Sequence, residues 1–552
     1  MNSSVKKQRI VIIGGGFAGL FSARYLARFL NRAVLNESVE VELISDINYF
    51  VFQPLLPEVA AGTINAQDAV SPLRQLLPET NIRQAKVLGI NPEDKTITLI
   101  QGQKRKLQTL DYDELVIASG QETKLSMFPG FEHHSLTMKT LADAHRLRNH
   151  VIECMEIADV TRYEDIKRRA LTFVVAGGGF SGVETMGELM EMIHRVRHLY
   201  PNIQPENIRA ILIQRGAQLL PEMSGKLGEF ALKKLQQRGV DVWLNTGIKS
   251  ASRYSVTTSD GRSVATNTIV TTIGNGPSQF IEGLPIQLHR GKIPVNRLLQ
   301  VEGLNHIWSL GDVAQIPLSD STGKDGAENP QFAPPSAQFA RREGKILAHN
   351  IVASLQGKVL RRFEYQSIGS LASLGGYSGV AEIAGFRLTG IFAWMLWRFI
   401  YIGLLPSVTA RIRVALNWLF DYFMPRTIVC MAHSESPASR LLSFAADEIV
   451  HEVDEVLEGF YVVVAGKFER TIPGCNGQED RVRIFNPGDS WGERCLADQR
   501  LSIGRVKALE DGELLLLQAI DLNLLRKGFE PFNQLLTDLH RKQTNDIAVS
   551  KE

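Results

Sequence analysis

A chain of 552 residues is too long for a single core and points to three or four domains. Its composition, 44% hydrophobic and 22% charged, excludes both a disordered chain and a membrane-buried bundle. A net charge of +2 offers no single-sign field to track phosphates, which excludes nucleic acid as a general partner.

The N-terminal MNSSVKKQRIVIIGGG passes from a short polar tail directly into an apolar strand, with no signal region or transit peptide, so the chain is expected to stay in the cytoplasm. RIVIIGGGFAGLFSARYLARFL then combines a strand, Gly14-x-Gly16-x-x-Gly19 and an amphipathic helix. Glycines at this spacing let a pyrophosphate approach the unpaired N–H groups of a helix N-terminus. The next strand, VEVELISD, carries Ser45 where an acid for the ribose is expected, which leaves Asp46 as the ribose partner. The pattern repeats in LTFVVAGGGFSGVETMGELM, with Gly177-x-Gly179-x-x-Gly182. Two such folds imply two dinucleotides, FAD at the first and NADH or NADPH at the second. The strand IRAILIQRG ends on Gln214 and Arg215 in place of an acid, which removes the repulsion against a 2′-phosphate and supplies a cation to pair with one. NHIWSLGDVAQI ends a third strand on Gly311-Asp312, where the aspartate can accept a hydrogen bond from the flavin ribityl chain. Cys154, Cys430, Cys475 and Cys495 are scattered without paired spacing, which argues against a metal centre, an iron–sulfur cluster and a redox disulfide.

Together with these loops, three further segments carry a resemblance: NYFVFQPLLPEVAAGTI (48–64), DELVIASG (113–120, ending on Gly120) and PPSAQFARREGKILAHNI. The chain resembles the type II NADH:quinone oxidoreductases, the single-subunit alternative NADH dehydrogenases that do not pump protons. The resemblance covers roughly four-fifths of the chain and implies a two-dinucleotide-fold flavoprotein of the pyridine-nucleotide-disulfide-reductase type. It implies hydride transfer from NAD(P)H to FAD and two-electron reduction of a membrane quinone. The first of the three segments is the one the family lays beside the flavin, and the second closes the FAD fold. The family's quinone motif, Ala-Gln-x-Ala-x-Gln-x-Gly, falls on Ala337, Gln338, Ala340 and Gly344, with Arg342 replacing the second glutamine. Gln338 is the expected quinone carbonyl donor. Glu184, just beyond the second glycine loop, matches the family's acid where nicotinamide, flavin and quinone meet; burial there would suit it to positioning the nicotinamide or relaying a proton.

GFRLTGIFAWMLWRFIYIGLLPSVTARIRVALNWLFDYFMPR follows, rich in apolar and aromatic residues but interrupted by Arg398, two glycines and a proline. Ile412, Leu416, Leu419 and Phe423 share one helical face, with Arg411, Arg413 and Arg426 placed for headgroups and Trp394, Trp397 and Trp418 suited to an interface. The expectation is a pair of amphipathic helices lying on the bilayer surface, as the family's C-terminal anchor does. The protein would then be monotopic, on the cytoplasmic face of the inner membrane.

Past Arg426 short strands alternate with glycine and acidic turns, a pattern for a small β-barrel or jelly roll closed by a helical region. Gly466, Pro487-Gly488-Asp489 and Gly492-Glu493 resemble a cyclic-nucleotide-binding domain. By that resemblance Gly492 and Glu493 hold the ribose, but Ser502 stands where the phosphate arginine belongs. Its loss removes a charge-assisted pair, about 1.5–3 kcal/mol. Arg505 is an odd number of residues from Ser502 and faces the other side of a strand, whereas Arg500 has the right parity. A module that has lost its ligand and serves as an interaction or dimer surface is the expectation, with Arg500 the one candidate to restore nucleotide binding.

The expected layout is an FAD domain over 1–165 and 291–385, the second part holding the quinone motif. An NAD(P)H domain spans 166–290, anchoring helices 386–430 and the appended domain 431–552. The alternatives are a sulfide:quinone oxidoreductase, which needs paired cysteines beside the flavin where only Cys154 is on offer, and a redox-sensing signalling protein.

Overall fold

The computed structural model describes residues 7–102, 106–318, 331–430, 439–474, 479–492 and 501–518. Glu493, Arg500, Cys475, Cys495 and the closing helical region expected beyond residue 518 lie outside the described residues.

Two parallel five-stranded sheets share the order of four strands and differ in the fifth, an edge strand that comes last in the chain in one and first in the other. The first runs Ile307–Ser309, Glu114–Ile117, Gln8–Ile13, Val39–Ser45, Asn81–Gln84. The second runs Leu136–Thr137, Thr268–Thr271, Thr172–Ala176, Arg209–Ile213, Val240–Trp243. All neighbours in both are parallel. In each the strand feeding a glycine loop is central and covered on both faces, which is why Ile10–Ile12 and Phe173–Val175 are unbroken apolar runs with no exposed surface. The strand Leu136–Thr137 shows that the second sheet draws on chain ahead of residue 166. Glu122–Thr123 pairs antiparallel with Asn275–Gly276, tying together the two crossings between the folds.

The longer helices and one short one position the site: α1 (Phe17–Ala33), α2 (Leu56–Ala60), α3 (Leu141–Val160), α4 (Phe180–Val196), α5 (Gly225–Gln237), α6 (Ala337–Leu355), α7 (Ile391–Leu404) and α8 (Val408–Phe423). After the second fold the chain returns and lays α6 along α1. An antiparallel sheet of Gly369–Ser373, Gly379–Ile383 and Phe386–Gly390 then leads into α7. The first residues of the expected anchor are therefore strand, and helix begins at Ile391.

Helices α7 and α8 are apolar on two sides. Ala410, Val414 and Trp418 of α8 face inward, while Ile412, Leu416, Leu419 and Phe423 are exposed, as the spacing predicts. On α7, Ala393 and Trp397 are buried and Phe392, Met395 and Phe399 exposed, Phe399 to 77%. Three of the anchor assignments differ in the structure. The indoles of Trp397 and Trp418 point into the protein, because each N–H finds a buried carboxylate there. Arg426 is buried against Asp421 at 2.9 Å instead of reaching for headgroups. Among the described residues no helix is long and apolar enough to cross a membrane.

The appended domain is two four-stranded antiparallel sheets around a core that includes Phe444, Tyr461, Phe468, Phe485 and Trp491. Among the described residues they do not close into a barrel, so of the two expected forms the facing sheets of a jelly roll describe them better. One edge strand, Ser439–Phe444, lies against the second dinucleotide fold. The outward N–H of Ser443 donates to His134 Nε2 at 2.7 Å, and its carbonyl accepts from the Arg253 N–H at 2.8 Å. Around this, Ser252 donates to Glu448 at 2.7 Å, Arg253 pairs with Glu458, and Tyr254 sits edge-on to Phe444 at 6.1 Å. The guanidinium of Arg169 stacks 4.2 Å from the Tyr254 ring.

Candidate functional site: two dinucleotide cradles and a buried carboxylate group

The two glycine loops have nearly the same geometry. Gly14 and Gly177 sit at φ +111° and +116°, and a Cβ on Gly19 or Gly182 would lie 1.9 or 1.8 Å from the carbonyl oxygen of Gly14 or Gly177. Gly16 and Gly179 begin α1 and α4 at φ −76°, ψ −167° and φ −77°, ψ −172°, with open space where a Cβ would be. Neither helix has a side-chain cap or an acid in its first turn. Two helix N-termini with free N–H groups, each fronted by an opening only glycine leaves, fit a pyrophosphate.

Around the first cradle, Ser45 is buried with its side chain turned to Gly15, and Asp46 is exposed just beyond it, its carbonyl accepting from Gln84 at 3.1 Å. Gly120, in the left-handed region at φ +71°, lies three residues past the strand Glu114–Ile117 and faces open space. The N–H of Gly311 donates to Glu343 Oε2 at 2.8 Å, with Asp312 half-exposed in the same turn. Burial pushes the Glu343 carboxyl up to about 7, against the pull of that N–H, and Asp312 nearby adds to the rise. Sequence reasoning missed Glu343; its acid set between buried positions of α6 was the available signal.

Around the second cradle, Gln214 Oε1 accepts from the Gly178 N–H at 3.0 Å, while Arg215 next to it is exposed. Gln214 thus holds the loop itself, and Arg215 is the group left facing outward.

Glu184, in the first turns of α4, is buried. Its Oε1 accepts from the Ser373 N–H at 3.0 Å and from the Trp397 indole of α7 at 3.1 Å. Two carboxylates that the sequence reading passed over join it. Glu188, one turn on, accepts from Ser373 Oγ at 3.4 Å and from Thr63 Oγ1 at 3.5 Å. Glu58 of α2 accepts from the Trp418 indole of α8 at 2.9 Å and faces Arg398 at 3.7 Å. Burial is the main cause that raises all three pKa values, Glu184 to about 8; repulsion from Glu58 and Glu188 adds to it at Glu184, from Glu188 at Glu58 and from Glu191 at Glu188. The i, i+4 spacing of Glu184 and Glu188 was a readable signal, as was the acid in PLLPEVAAG.

The strand Gly369–Ser373 links this group to the quinone motif. At its far end, about 13 Å away at ~3.3 Å per residue, Gln338 donates to the Gly369 carbonyl at 2.8 Å and accepts from Tyr365 at 2.9 Å. One N–H and one lone pair of the amide stay available. Arg342 donates to the backbone carbonyl of Gln338 at 3.0 Å and covers the ring of Tyr365 at 4.1 Å, so it braces Gln338 through Tyr365. Ala337 begins α6, behind Ser336 as cap.

In the appended domain Gly492 takes φ +98°, where a Cβ would lie 2.4 Å from the Gly459 carbonyl oxygen. Ser502 is buried and donates to the Gly504 carbonyl at 2.6 Å. His451 Nε2 accepts from the Trp491 indole at 3.0 Å, which leaves Nδ1–H to donate to Ser502 Oγ at 3.0 Å. Burial holds this imidazole neutral, its pKa lowered to about 4. The cavity bordered by His451, Arg470, Trp491, Gly492 and Ser502 measures about 20 Å³, room for one water.

Cys154 is buried and Cys430 exposed, and neither is in a disulfide. The paired cradles, each at the end of the central strand of a parallel sheet, define a two-dinucleotide oxidoreductase. The family profile "Pyridine nucleotide-disulphide oxidoreductase" matches residues 8–344, and the chain belongs to that family. An "NDH2 C-terminal domain" profile follows over 368–427 and a "Cyclic nucleotide-binding domain" profile over 441–527. The chain is 28% identical over 438 residues to the type II NADH:quinone oxidoreductase of Mycobacterium tuberculosis, covering 76% of this chain and 89% of that one. It is 28% identical over 419 residues to the demethylphylloquinone reductase of Synechocystis sp., covering 75% and 96%. In fold it is similar to NDH2 from Plasmodium falciparum in complex with NADH, with a TM-score of 0.69 at 21% identity over 77% of this chain and 100% of that one.

Proposed function

We propose that this chain is a membrane-associated, non-proton-pumping NADH:quinone oxidoreductase that works from the bilayer surface. The observation that carries the reading is Glu184: it starts from the nicotinamide cradle and is hydrogen-bonded to Trp397, whose helix presents an apolar face on its other side. Nicotinamide chemistry and a membrane face thus meet within one helix thickness.

FAD, when bound, supplies the two-electron redox chemistry between nicotinamide and quinone. Gly14, Gly16 and Gly19 would take its pyrophosphate, Asp46 its ribose, and Gly120, Gly311 and Asp312 the approach to its ribityl chain. Gly177, Gly179 and Gly182 would take NADH, with Arg215 able to pair a 2′-phosphate, so NADPH is tolerated. Gln338, braced by Arg342 beside Ala337, donates its free N–H to a quinone carbonyl, and Glu184 holds a proton at the other end of the strand Gly369–Ser373. The exposed stripes of α7 and α8 lie in the cytoplasmic leaflet, with Arg411 and Arg413 at headgroup level. Ser502, bonded to the Gly504 carbonyl and to His451, offers no cation to a cyclic phosphate, so the appended domain serves as an interaction or dimer surface.

The test is anaerobic reduction of the purified flavoprotein by NADH and NADPH, then reoxidation by soluble ubiquinone and menaquinone analogues. Bleaching and rapid recovery of flavin absorbance are expected; bleaching without recovery by either quinone would instead indicate a redox sensor. Cyclic AMP and cyclic GMP should leave the melting temperature unchanged.

A further inference from the structure

Helices α1 and α6 run side by side, packed so closely that a Cβ on Gly344 would lie 2.9 Å from the Ser22 nitrogen. They end together, at the opposite end of α1 from the first cradle. There a groove of about 450 Å³ opens, lined by both helices and by the chain that leaves α6. That volume falls within the roughly 300–1,000 Å³ of small-molecule sites. Phe29, Val352 and Val359 give the groove an apolar wall, and Arg32, Lys358 and Arg361 set three cations around it.

We propose that this groove binds a nucleoside di- or triphosphate, at a site separate from both dinucleotide cradles. Among the described residues none of the three cations forms an ion pair, so their charge is open to a ligand. Two of them project from a fixed turn. The Lys358 N–H donates to the Ala353 carbonyl at 2.8 Å, and buried Asn350 holds both the N–H and the carbonyl of Arg361 at 2.8 Å. A turn held in this way loses little freedom when it binds. His349 borders the same groove, edge-on to Phe29 with ring centroids 6.4 Å apart, and its buried Nδ1 has no hydrogen-bond partner among the described residues.

Guanidinium and ammonium groups pair with phosphate oxygens through charge-assisted bonds, and three of them suit a chain of phosphates better than a single one. The rings of Phe29 and His349 offer a base an aromatic surface. The groove also lies away from the membrane face. Phe17 at the start of α1 meets Phe52 at 5.6 Å, and Phe52 meets Tyr401 of α7 at 5.9 Å. Phe29 is twelve residues further on, about 18 Å along the helix. The phosphates that reach it are therefore those of a dissolved nucleotide and not of a lipid headgroup.

The simplest competing role is electrostatic, since cations beside two helix C-termini offset the carbonyls exposed there. That role explains the charge but not the apolar wall or the buried Nδ1. The experiment is calorimetric titration of the FAD-loaded, full-length protein with ATP, with NAD+ at saturation to fill the nicotinamide cradle. One ATP per chain is expected, bound less tightly as salt rises. Lys358→Glu with Arg361→Glu should weaken it tenfold or more, and so should Val359→Glu, which places a carboxylate on the wall. All three side chains are exposed, and flavin bleaching by NADH should keep its wild-type rate in both variants. Cyclic AMP, with a single negative charge, and inorganic phosphate, with no base, should each bind at least tenfold more weakly than ATP. A wild type that does not bind ATP, or binding that both variants leave unchanged, would overturn the proposal. So would phosphate bound as tightly as ATP, or a groove that ignores ATP but loses sedimentation with phosphatidylglycerol vesicles in the double variant, which would assign it to lipid.

Discussion

Glu58 sits where α2 meets α8, its Oε2 held by the Trp418 indole and its other oxygen facing Arg398. Burial lifts its pKa to about 8, as it does that of Glu184, so both carry protons in the native state that the unfolded chain has already released. Between about 4.5 and 8 the native state binds more protons than the unfolded one, and stability falls as pH rises. The melting temperature should therefore drop by several degrees from pH 5 to pH 8.5, at about 2–4 °C per kcal/mol for a domain of this size. Glu58→Gln should flatten that slope, and an equally steep slope in the variant would refute the assignment. Gln214 offers a second residue-scale expectation. Its amide oxygen already accepts from Gly178 N–H, a bond a carboxylate would keep while adding charge against a 2′-phosphate. Gln214→Glu should raise the NADH over NADPH ratio of kcat/KM about tenfold, which is ~1.4 kcal/mol of discrimination; an unchanged ratio counts against the role given to this strand end. At this scale the glycines were legible because their spacing is dictated by backbone approach, which composition cannot disguise. The positions of Glu58 and Glu188 were legible but their pairing was not, because an acid in a helix reads the same whether it is solvated or paired with a residue hundreds of positions away.

Helices α7 and α8 each carry an inner and an outer apolar stripe, and this double character limits what periodicity reveals. The outer stripe of α8 was readable from Ile412, Leu416, Leu419 and Phe423. The inner stripe went unread because Trp397 and Trp418 have the chemistry of interfacial anchors, and only the tertiary partners Glu184 and Glu58 decide their direction. The outer stripes make the membrane reading testable without touching the site. Phe399→Asp with Leu419→Asp should reduce sedimentation with anionic phospholipid vesicles about tenfold or more, since each exposed side chain contributes roughly 1.5–3 kcal/mol of burial. NADH-driven reduction of a short-chain soluble quinone should persist. Vesicle binding equal to the wild type would remove the membrane role from these faces. The appended domain shows a related limit: its strands and turns were legible, but whether they close into a barrel depends on edge pairing, which strand pattern does not encode.

As a whole the molecule is an oxidoreductase with a nucleotide-domain fold docked on its nicotinamide half through Ser252, Arg253 and Tyr254. Truncation after residue 430 should retain FAD and NADH-driven flavin reduction, with a lower melting temperature because Tyr254 loses Phe444 and Arg253 loses Glu458. Loss of bound FAD in the truncated protein would show instead that the appended domain is needed to build the flavin fold. Neither the docking nor its residues were visible in the sequence, since they join segments roughly two to three hundred positions apart by single contacts. The capped edge of Ser439–Phe444 has a further consequence, for the order in which the protein is made. An uncovered strand edge is a template for pairing with other chains, yet this one leaves the ribosome only after the fold that supplies His134 and Arg253 has been synthesised and has begun to fold. A circular permutation that moved residues 431–552 to the front would expose that edge with nothing to receive it, so the natural domain order itself acts as protection against aggregation.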